Sequence, residues 1–251
     1  MRLAILSDTH GNAVAFEAVV QDLRRQSPDA VVFLGDLAMR GPQPAECADL
    51  LRSLNPLVAV KGNHDHYFAL YPDASAWVPR NAKEEMNRRQ LQYNQQLLSA
   101  EELRWIGHWP SEHVLRTEGI QAELYHASPA SLAAIIWPWA ANDELDALGK
   151  DASTQLVLYG HIHHAFMRNA GGRLIVNSGS VGLPFDGDNR ASYAIIDVEG
   201  RDTAVQIRRI AYDIERVIRI AKDRRMPDAE RFEEAVRRAV FTYNVAATKA
   251  V

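Results

Sequence analysis

Seven residues able to bind divalent cations, and one further histidine beside them, lie just past short apolar runs in this chain. Leu3-Ala4-Ile5-Leu6 leads to Asp8 and His10, and Val31-Val32-Phe33-Leu34 leads to Gly35-Asp36. Leu57-Val58-Ala59-Val60 leads to Gly62-Asn63-His64-Asp65, and Glu123-Leu124-Tyr125 leads to His126. Leu156-Val157-Leu158-Tyr159 leads to Gly160-His161-Ile162-His163. Open sheets place binding sites just outside the ends of their strands, where loops from several strands meet. Any one of these residues alone reads as a surface charge or a helix cap. Five such runs in one chain predict a single polynuclear metal site.

The donors are oxygen and nitrogen only: Asp8, His10, Asp36, Asn63, His126, His161 and His163. That set suits Mn²⁺, Fe, Zn²⁺, Ni²⁺ or Co²⁺ better than Ca²⁺, which prefers oxygen alone. Mn²⁺ is the first expectation. Seven donors exceed what one small ion takes, and they fit two ions sharing a bridging carboxylate. Asp36 is the natural bridge, because Gly35 beside it lets other loops approach. Asp8 and His10 are two residues apart, as are His161 and His163, so each pair can point one way from extended backbone.

These residues need elements to position them. Asn12 reads as the N-cap of a helix carrying Val14, Ala15, Ala18, Val19 and Leu23 at helical spacing, ended by Ser27-Pro28. A second strand reaches Leu34. Pro44 opens a helix through Leu54, and a third strand leads to Val60. Such βαβ repetition predicts parallel strands with helices outside. Residues 66–112 break the rhythm with aromatics and charge, a helix over 81–98, and a capping box at Ser99-Ala100-Glu101-Glu102. This stretch is expected to be a helical cap beside the site, either a lid or plain surface helices. Glu118-Gly119, Ala170-Gly171-Gly172 and Glu199-Gly200 each separate two strand-like runs as hairpins. From Tyr212 the chain reads as two helices parted near Met226-Pro227. One domain over 1–251 is expected.

The 28 Lys and Arg against 32 Asp and Glu leave a formal charge of −4, without the basic footprint of a dedicated nucleic-acid binder. The single cysteine, Cys47, excludes an intramolecular disulfide and a thiolate metal cluster. No run is apolar for long enough to span a bilayer, and the short apolar stretch before Ser7 argues against a secretory signal. A cytoplasmic protein with no membrane partner is expected. The oligomeric state is open.

The ordered blocks Asp8-Thr9-His10, Gly35-Asp36, Gly62-Asn63-His64-Asp65, His126 and Gly160-His161-Ile162-His163 resemble those of calcineurin-like metallophosphoesterases. Asn177-Ser178-Gly179-Ser180-Val181-Gly182-Leu183-Pro184 is similar to the signature of their small bacterial and archaeal phosphodiesterase branch. The resemblance spans about Met1 to Val198. It implies an α/β (α+β) fold: a four-layer αββα sandwich with two facing mixed sheets, here with a helical cap insertion. It implies one ion on Asp8, His10, Asp36 and His163, and another on Asp36, Asn63, His126 and His161. His64 would be the catalytic histidine. Two departures stand out. Ser178 replaces a usual proline. Met39, in Gly35-Asp36-Leu37-Ala38-Met39-Arg40-Gly41, replaces the aspartate that orients the catalytic histidine in Ser/Thr phosphatases, which weakens a protein-phosphatase reading.

The expected activity is hydrolysis of a nucleotide-like or small phosphodiester by a metal-bridging hydroxide, with His64 as general acid. Asp65 would hold either the loop or the imidazole. Ser7, Asn177 and the carbonyls of the Gly179-Ser180 loop are expected to brace the ligand histidines. Arg40, Asn12, Tyr93 and His164 are candidates for touching substrate, and Tyr93 or Trp77 could stack on a base. Alternatives are a phosphomonoesterase, a dinucleoside-polyphosphate hydrolase, or a non-catalytic interaction scaffold of the same fold. The scaffold reading predicts eroded ligands, whereas all are present.

Overall fold

The apolar runs that lead to the candidate ligands are strands, and they belong to two different sheets. A computed structural model of the chain describes residues 1–117 and 119–244. The first sheet uses β1 (Arg2–Leu6), β2 (Ala30–Phe33), β3 (Val58–Ala59), β9 (Ala191–Glu199) and β10 (Asp202–Ile210), in the order β10-β9-β1-β2-β3. Strands β1, β2 and β3 are parallel, with Leu3 opposite Ala30 and Val32 opposite Val58. β9 returns antiparallel beside β1. The second sheet uses β4 (Glu112–Thr117), β5 (Ile120–Tyr125), β6 (Leu156–Tyr159), β7 (Phe166–Ala170) and β8 (Arg173–Asn177), in the order β4-β5-β6-β8-β7. Here β5, β6 and β8 are parallel and the two edges antiparallel.

Side chains alternate across a strand, so a strand buried on both faces divides its apolar residues between two cores. Leu3, Ile5, Val32 and Leu34 meet Leu124, Leu156, Leu158 and Val176 of the other sheet. Ala4, Leu6, Val31 and Phe33 point the other way, onto α1 (Ala13–Gln26) and α2 (Pro44–Ser53). On the far side, Tyr125, Val157, Tyr159 and Ile175 pack on Leu145 of α6 (Asn142–Asp146) and on Leu148. The result is helix, sheet, sheet, helix, the expected αββα sandwich. The outer strand β4 has no buried residue and carries Glu112, His113 and Arg116, which blunt that edge.

The expected cap segment forms α3 (Asn63–Leu70), a 3₁₀ turn at Ala74–Ala76, α4 (Ala82–Leu97) and α5 (Ala100–Gly107). Ser99 and Glu102 complete the capping box of α5 in both directions. Phe68, Trp77, Leu91, Leu98 and Ile106 join the same core as α1 and α2. The C-terminal helices are α7 (Ile214–Asp223) and α8 (Ala229–Arg238). They pack Val217, Ile218, Phe232 and Val236 against Val14, Met86 and Tyr93. Glu118 of the first expected hairpin, and the last seven residues of the tail, lie outside the described residues. Among the described residues no helix is long and apolar enough to cross a membrane.

One buried charge ties α1 to the first sheet. Asp22 accepts from Tyr193 Oη at 2.6 Å and from Arg208 Nε and Nη2 at 2.6 and 3.0 Å. Burial pushes this carboxyl up, but Arg208 and Tyr193 outweigh it and leave its pKa below the usual value. A lowered carboxylate pKa stabilises the fold above the unfolded-state pKa, and that contribution is lost as pH falls through the folded value. Asp22→Ala is expected to cost about 1–3 kcal/mol near neutral pH, read from urea unfolding, with the deficit shrinking in acid. A deficit that is equal at acidic and neutral pH would assign it to packing.

Candidate metal centre

The loops beyond β1, β2, β3, β5 and β6 turn sharply, and several candidate ligands sit in the left-handed region. Asp8, His10, Asp36, His161 and His163 have φ of 56°, 46°, 56°, 66° and 56°. Asp and His tolerate this conformation better than most residues, but such positions still cost energy and gather where a site dictates geometry. Close approach of the loops is enforced at Gly160, where a Cβ would lie 2.0 Å from Ser7 Oγ and 2.7 Å from Asp8 Oδ2.

The side chains converge with acceptors facing acceptors. His163 Nδ1 is hydrogen-bonded to the carbonyl of Leu183, so it carries the proton and leaves the Nε2 lone pair free. That Nε2 faces Asp8 Oδ1 at 3.1 Å and His10 Nε2 at 3.1 Å. His126 Nδ1 is likewise bonded to Leu34 O at 2.7 Å, and its Nε2 faces Asn63 Oδ1 at 3.1 Å and Asp36 Oδ2 at 3.4 Å. His10 Nε2 lies 3.6 Å from Asp8 Oδ1 and 3.7 Å from Asp36 Oδ2. Ligand bonds of about 2.0–2.2 Å place neighbouring donors roughly 3–3.6 Å apart. Lone pairs aimed at one another at that spacing call for cations between them, so the residues fit metal ions.

The carboxylates draw positive charge into the cluster, a proton on His126 where no cation is bound. Burial opposes a charged His126, yet the Asp36 and Asp8 carboxylates outweigh it and push its pKa up to about 10. Burial would also raise Asp8 and Asp36, but the surrounding imidazoles hold both below the usual carboxylate range. His161 is driven down to about 4 by burial and by cationic His126. Its ring is 5.1 Å from that of His126, and its backbone N–H donates to Asp8 Oδ2 at 3.0 Å. Donor atoms of Asp8, His10 and His163 lie within 4.8 Å of one another, as do those of Asp8, Asp36 and His126. Those of His10, Asp36 and His64 form a third such group.

The expected braces bond other groups and not the ligand histidines. Ser7 Oγ donates to Asp8 Oδ2 at 2.5 Å, and Asn177 Nδ2 donates to Gly160 O at 2.6 Å. The Gly179-Ser180 carbonyls do not serve the ligand histidines. Leu34 and Leu183 carbonyls do, and no side-chain pattern announces them. Ser180 Oγ instead donates to the Asp8 carbonyl at 2.7 Å. Asp65 holds the loop, not the imidazole. It accepts the backbone N–H groups of Asp36, Leu37 and Gly62 at 2.6, 3.1 and 2.9 Å.

The profile of the calcineurin-like phosphoesterase superfamily domain matches residues 1–201. The chain belongs to that superfamily. A metallophosphoesterase from Sphaerobacter thermophilus is similar at 29% identity and a TM-score of 0.72, over 96% of this chain and 99% of that one. A hypothetical protein from Pyrococcus horikoshii OT3 shares the fold at 17% identity and a TM-score of 0.80, over 94% and 97% of the two chains. An uncharacterised protein of Methanocaldococcus jannaschii is 28% identical over 241 residues, 90% of this chain and 94% of the relative. Family and site together support a metal-dependent phosphoesterase.

Within this calcineurin-like frame, His64 lies at the start of α3 and Met39 in the loop after β2. His64 N–H donates to Asp36 Oδ1 at 2.9 Å, and its ring is 5.4 Å from that of His10. Its Nδ1 is buried with no hydrogen-bond partner. Met39 is buried in the core shared by the helices, and its backbone N–H is held by Asn94 Oδ1 of α4 at 3.0 Å. No carboxylate is supplied from this position.

Two expected substrate contacts are corrected. Asn12 is buried with both amide groups occupied: Oδ1 caps α1 by accepting Ala15 N–H at 3.0 Å, and Nδ2 donates to Gly182 O at 2.8 Å. Tyr93 is buried among the C-terminal helices and donates to Pro42 O at 3.0 Å. Trp77 is equally unavailable, stacked on Tyr71 with centroids 4.3 Å apart. Arg40 lies near enough to His64 to oppose its protonation, and His164 follows the His163 ligand in the chain. Arg40 is buried, Nη2 donating to Asn87 Oδ1 at 2.7 Å, and its Nη1 has no partner. His164 is half-buried beside Trp137 and Trp139, two residues that sequence reasoning passed over.

Proposed function

We propose that this chain is a binuclear metal-dependent phosphodiesterase acting on a small or nucleotide-like phosphodiester in the cytoplasm, with Mn²⁺ the favoured ion. Asp8, His10, Asp36 and His163 would hold one ion, and Asp36, Asn63, His126 and His161 the other. The observation that carries this reading is the pair of histidine Nε2 atoms, on His163 and His126, aimed at carboxylate oxygens in a buried cluster. Two such ions, when bound, acidify a shared water and clamp phosphate oxygens.

The chain's own groups supply the rest. His64 protonates the leaving oxygen, and Asp36 Oδ1 holds its backbone in place. Burial foremost, helped by cationic Arg40, lowers the His64 pKa well below the ordinary value. A bound phosphate adds negative charge and favours the protonated imidazole. Arg40 offers phosphate an unused N–H. Among the described residues no carboxylate pairs with its guanidinium, which Tyr243 covers at 4.6 Å. A diester is favoured over a phosphoprotein because the orienting aspartate of the protein phosphatases is replaced by Met39.

Manganese-loaded protein is expected to release nitrophenol from bis-p-nitrophenyl phosphate about tenfold faster or more than from p-nitrophenyl phosphate. The reverse ratio would assign a monoesterase. Absence of turnover at full metal loading would assign a scaffold.

A further inference from the structure

The loop after β5 leaves from one candidate ligand and passes beside the chain neighbour of another. It departs at His126 and brings Trp137 and Trp139 against His164, the neighbour of His163. The two indoles are stacked with centroids 5.3 Å apart and planes 7° from parallel. Both meet the His164 ring edge-on, at 5.2 and 6.0 Å. Yet Trp137 is 38% exposed and Trp139 69%. Large aromatic side chains left open to water in this way lose burial energy unless something covers them.

Between His126 and the start of α6 the loop has no helix or strand, but it is pinned. Arg168 Nη1 donates to the carbonyls of Pro138 and Ala140, both at 2.8 Å, and Nη2 to Asn142 Oδ1 at 2.5 Å. Tyr159 Oη donates to Ile136 O at 2.8 Å. These bonds fix the backbone on either side of both tryptophans. His164 Nδ1 is tied to Ile162 O at 2.7 Å, which orients its ring. Held rings lose little freedom when a flat ligand lands on them.

We propose that Trp137, Trp139 and His164 form a stacking platform for the nucleobase of a nucleotide diester whose phosphate lies at the metal centre. This rests on the phosphodiesterase reading and names the substrate class for it. Adjacent residues are about 3.8 Å apart along the chain, so His164 stands immediately beside the His163 ligand. Stacking accepts any base, because every base has a π face. A protein partner fits less well: two indoles and the exposed Ile135 make a small patch, against roughly 20–30 residues a side in a stable interface.

The test compares two diesters with one leaving group: the p-nitrophenyl ester of adenosine 5′-monophosphate and methyl p-nitrophenyl phosphate. Trp139→Ala and the Trp137→Ala/Trp139→Ala double variant are expected to raise KM for the nucleoside ester about tenfold. KM for the methyl ester and kcat for both should stay within about twofold of wild type. Trp139→Phe should restore the low KM, which separates stacking from a folding defect. Adenosine 5′-monophosphate titrated into metal-free protein should quench tryptophan fluorescence, and Trp139→Ala should abolish that quenching. Equal KM changes for both esters would overturn the platform. So would unchanged kinetics with a wild-type dimer that the double variant dissociates, because the patch would then join two copies. A wild-type protein inert toward both esters sinks the phosphodiesterase reading instead, and the fluorescence titration still judges the platform.

Discussion

His64→Ala is expected to keep its metal ions and to lose about 10²–10⁴-fold in kcat on a diester with an alkoxide leaving group. The size follows from the proton the leaving oxygen needs. An alkoxide is a poor leaving group unless protonated as the P–O bond breaks, whereas nitrophenolate departs with little help. The same variant should therefore lose far less on a nitrophenyl ester. Metal content is expected to hold because the buried donor-atom contacts lie between Asp8, His10 and His163, and between Asp36, Asn63 and His126. His64 contributes a backbone N–H to Asp36 Oδ1, and alanine retains it. The competing role is that of an extra ligand, since a His64 donor atom lies within 4.8 Å of those of His10 and Asp36. Elemental analysis beside kinetics separates the two. Loss of an ion with equal loss on both leaving groups would make His64 a ligand. Full activity on the alkoxide substrate would remove it from the chemistry.

The ligand-bearing strand ends were legible because βαβ units bury their strands on both faces. Burial on both faces makes an apolar run, and its end is visible where Asp8, Asp36 and His126 begin. The hairpins were legible through Gly171-Gly172 and Glu199-Gly200. What stayed hidden is carried by backbone or by tertiary contact. Leu34 and Leu183 brace ligands through carbonyls, which any residue possesses. Asn12 suits both a cap and a substrate contact by residue type; as the cap it accepts Ala15 N–H, and Gly182 takes its remaining amide group. Tyr93 and Trp77 sit in aromatic-rich helices whose sequence looks the same whether the rings face substrate or core. Trp137 and Trp139 flank a proline in a stretch without periodicity, so nothing local marked them. Only the fold, by placing them against His164, gives them a role.

Gly62→Ala is expected to disable the centre although the backbone there suits any residue. Gly62 has φ −89° and ψ 179° at the start of α3, so no left-handed strain is involved. The obstacle is Asp36: a Cβ on Gly62 would lie 2.0 Å from its Oδ1 and 2.6 Å from its Cγ and backbone N. Such contacts are far inside van der Waals separation, so something must shift. The Gly62 backbone cannot retreat cheaply, because its N–H and that of Asp36 are both held by Asp65 Oδ2, at 2.9 and 2.6 Å. The carboxylate of Asp36 must therefore swing away from His126 and His10, the residues it faces at 3.4 and 3.7 Å. As Asp36 is the proposed bridge, both ions lose a ligand at once. Metal content is expected to fall from about two ions per chain to about one or fewer, and turnover by about 10²-fold or more, the scale of a 1 Å misplacement. Gly107→Ala is the control, since its new Cβ would meet nothing nearer than Ala69 N at 3.4 Å. A Gly62→Ala protein that retained both ions and wild-type turnover would show that Asp36 does not join them.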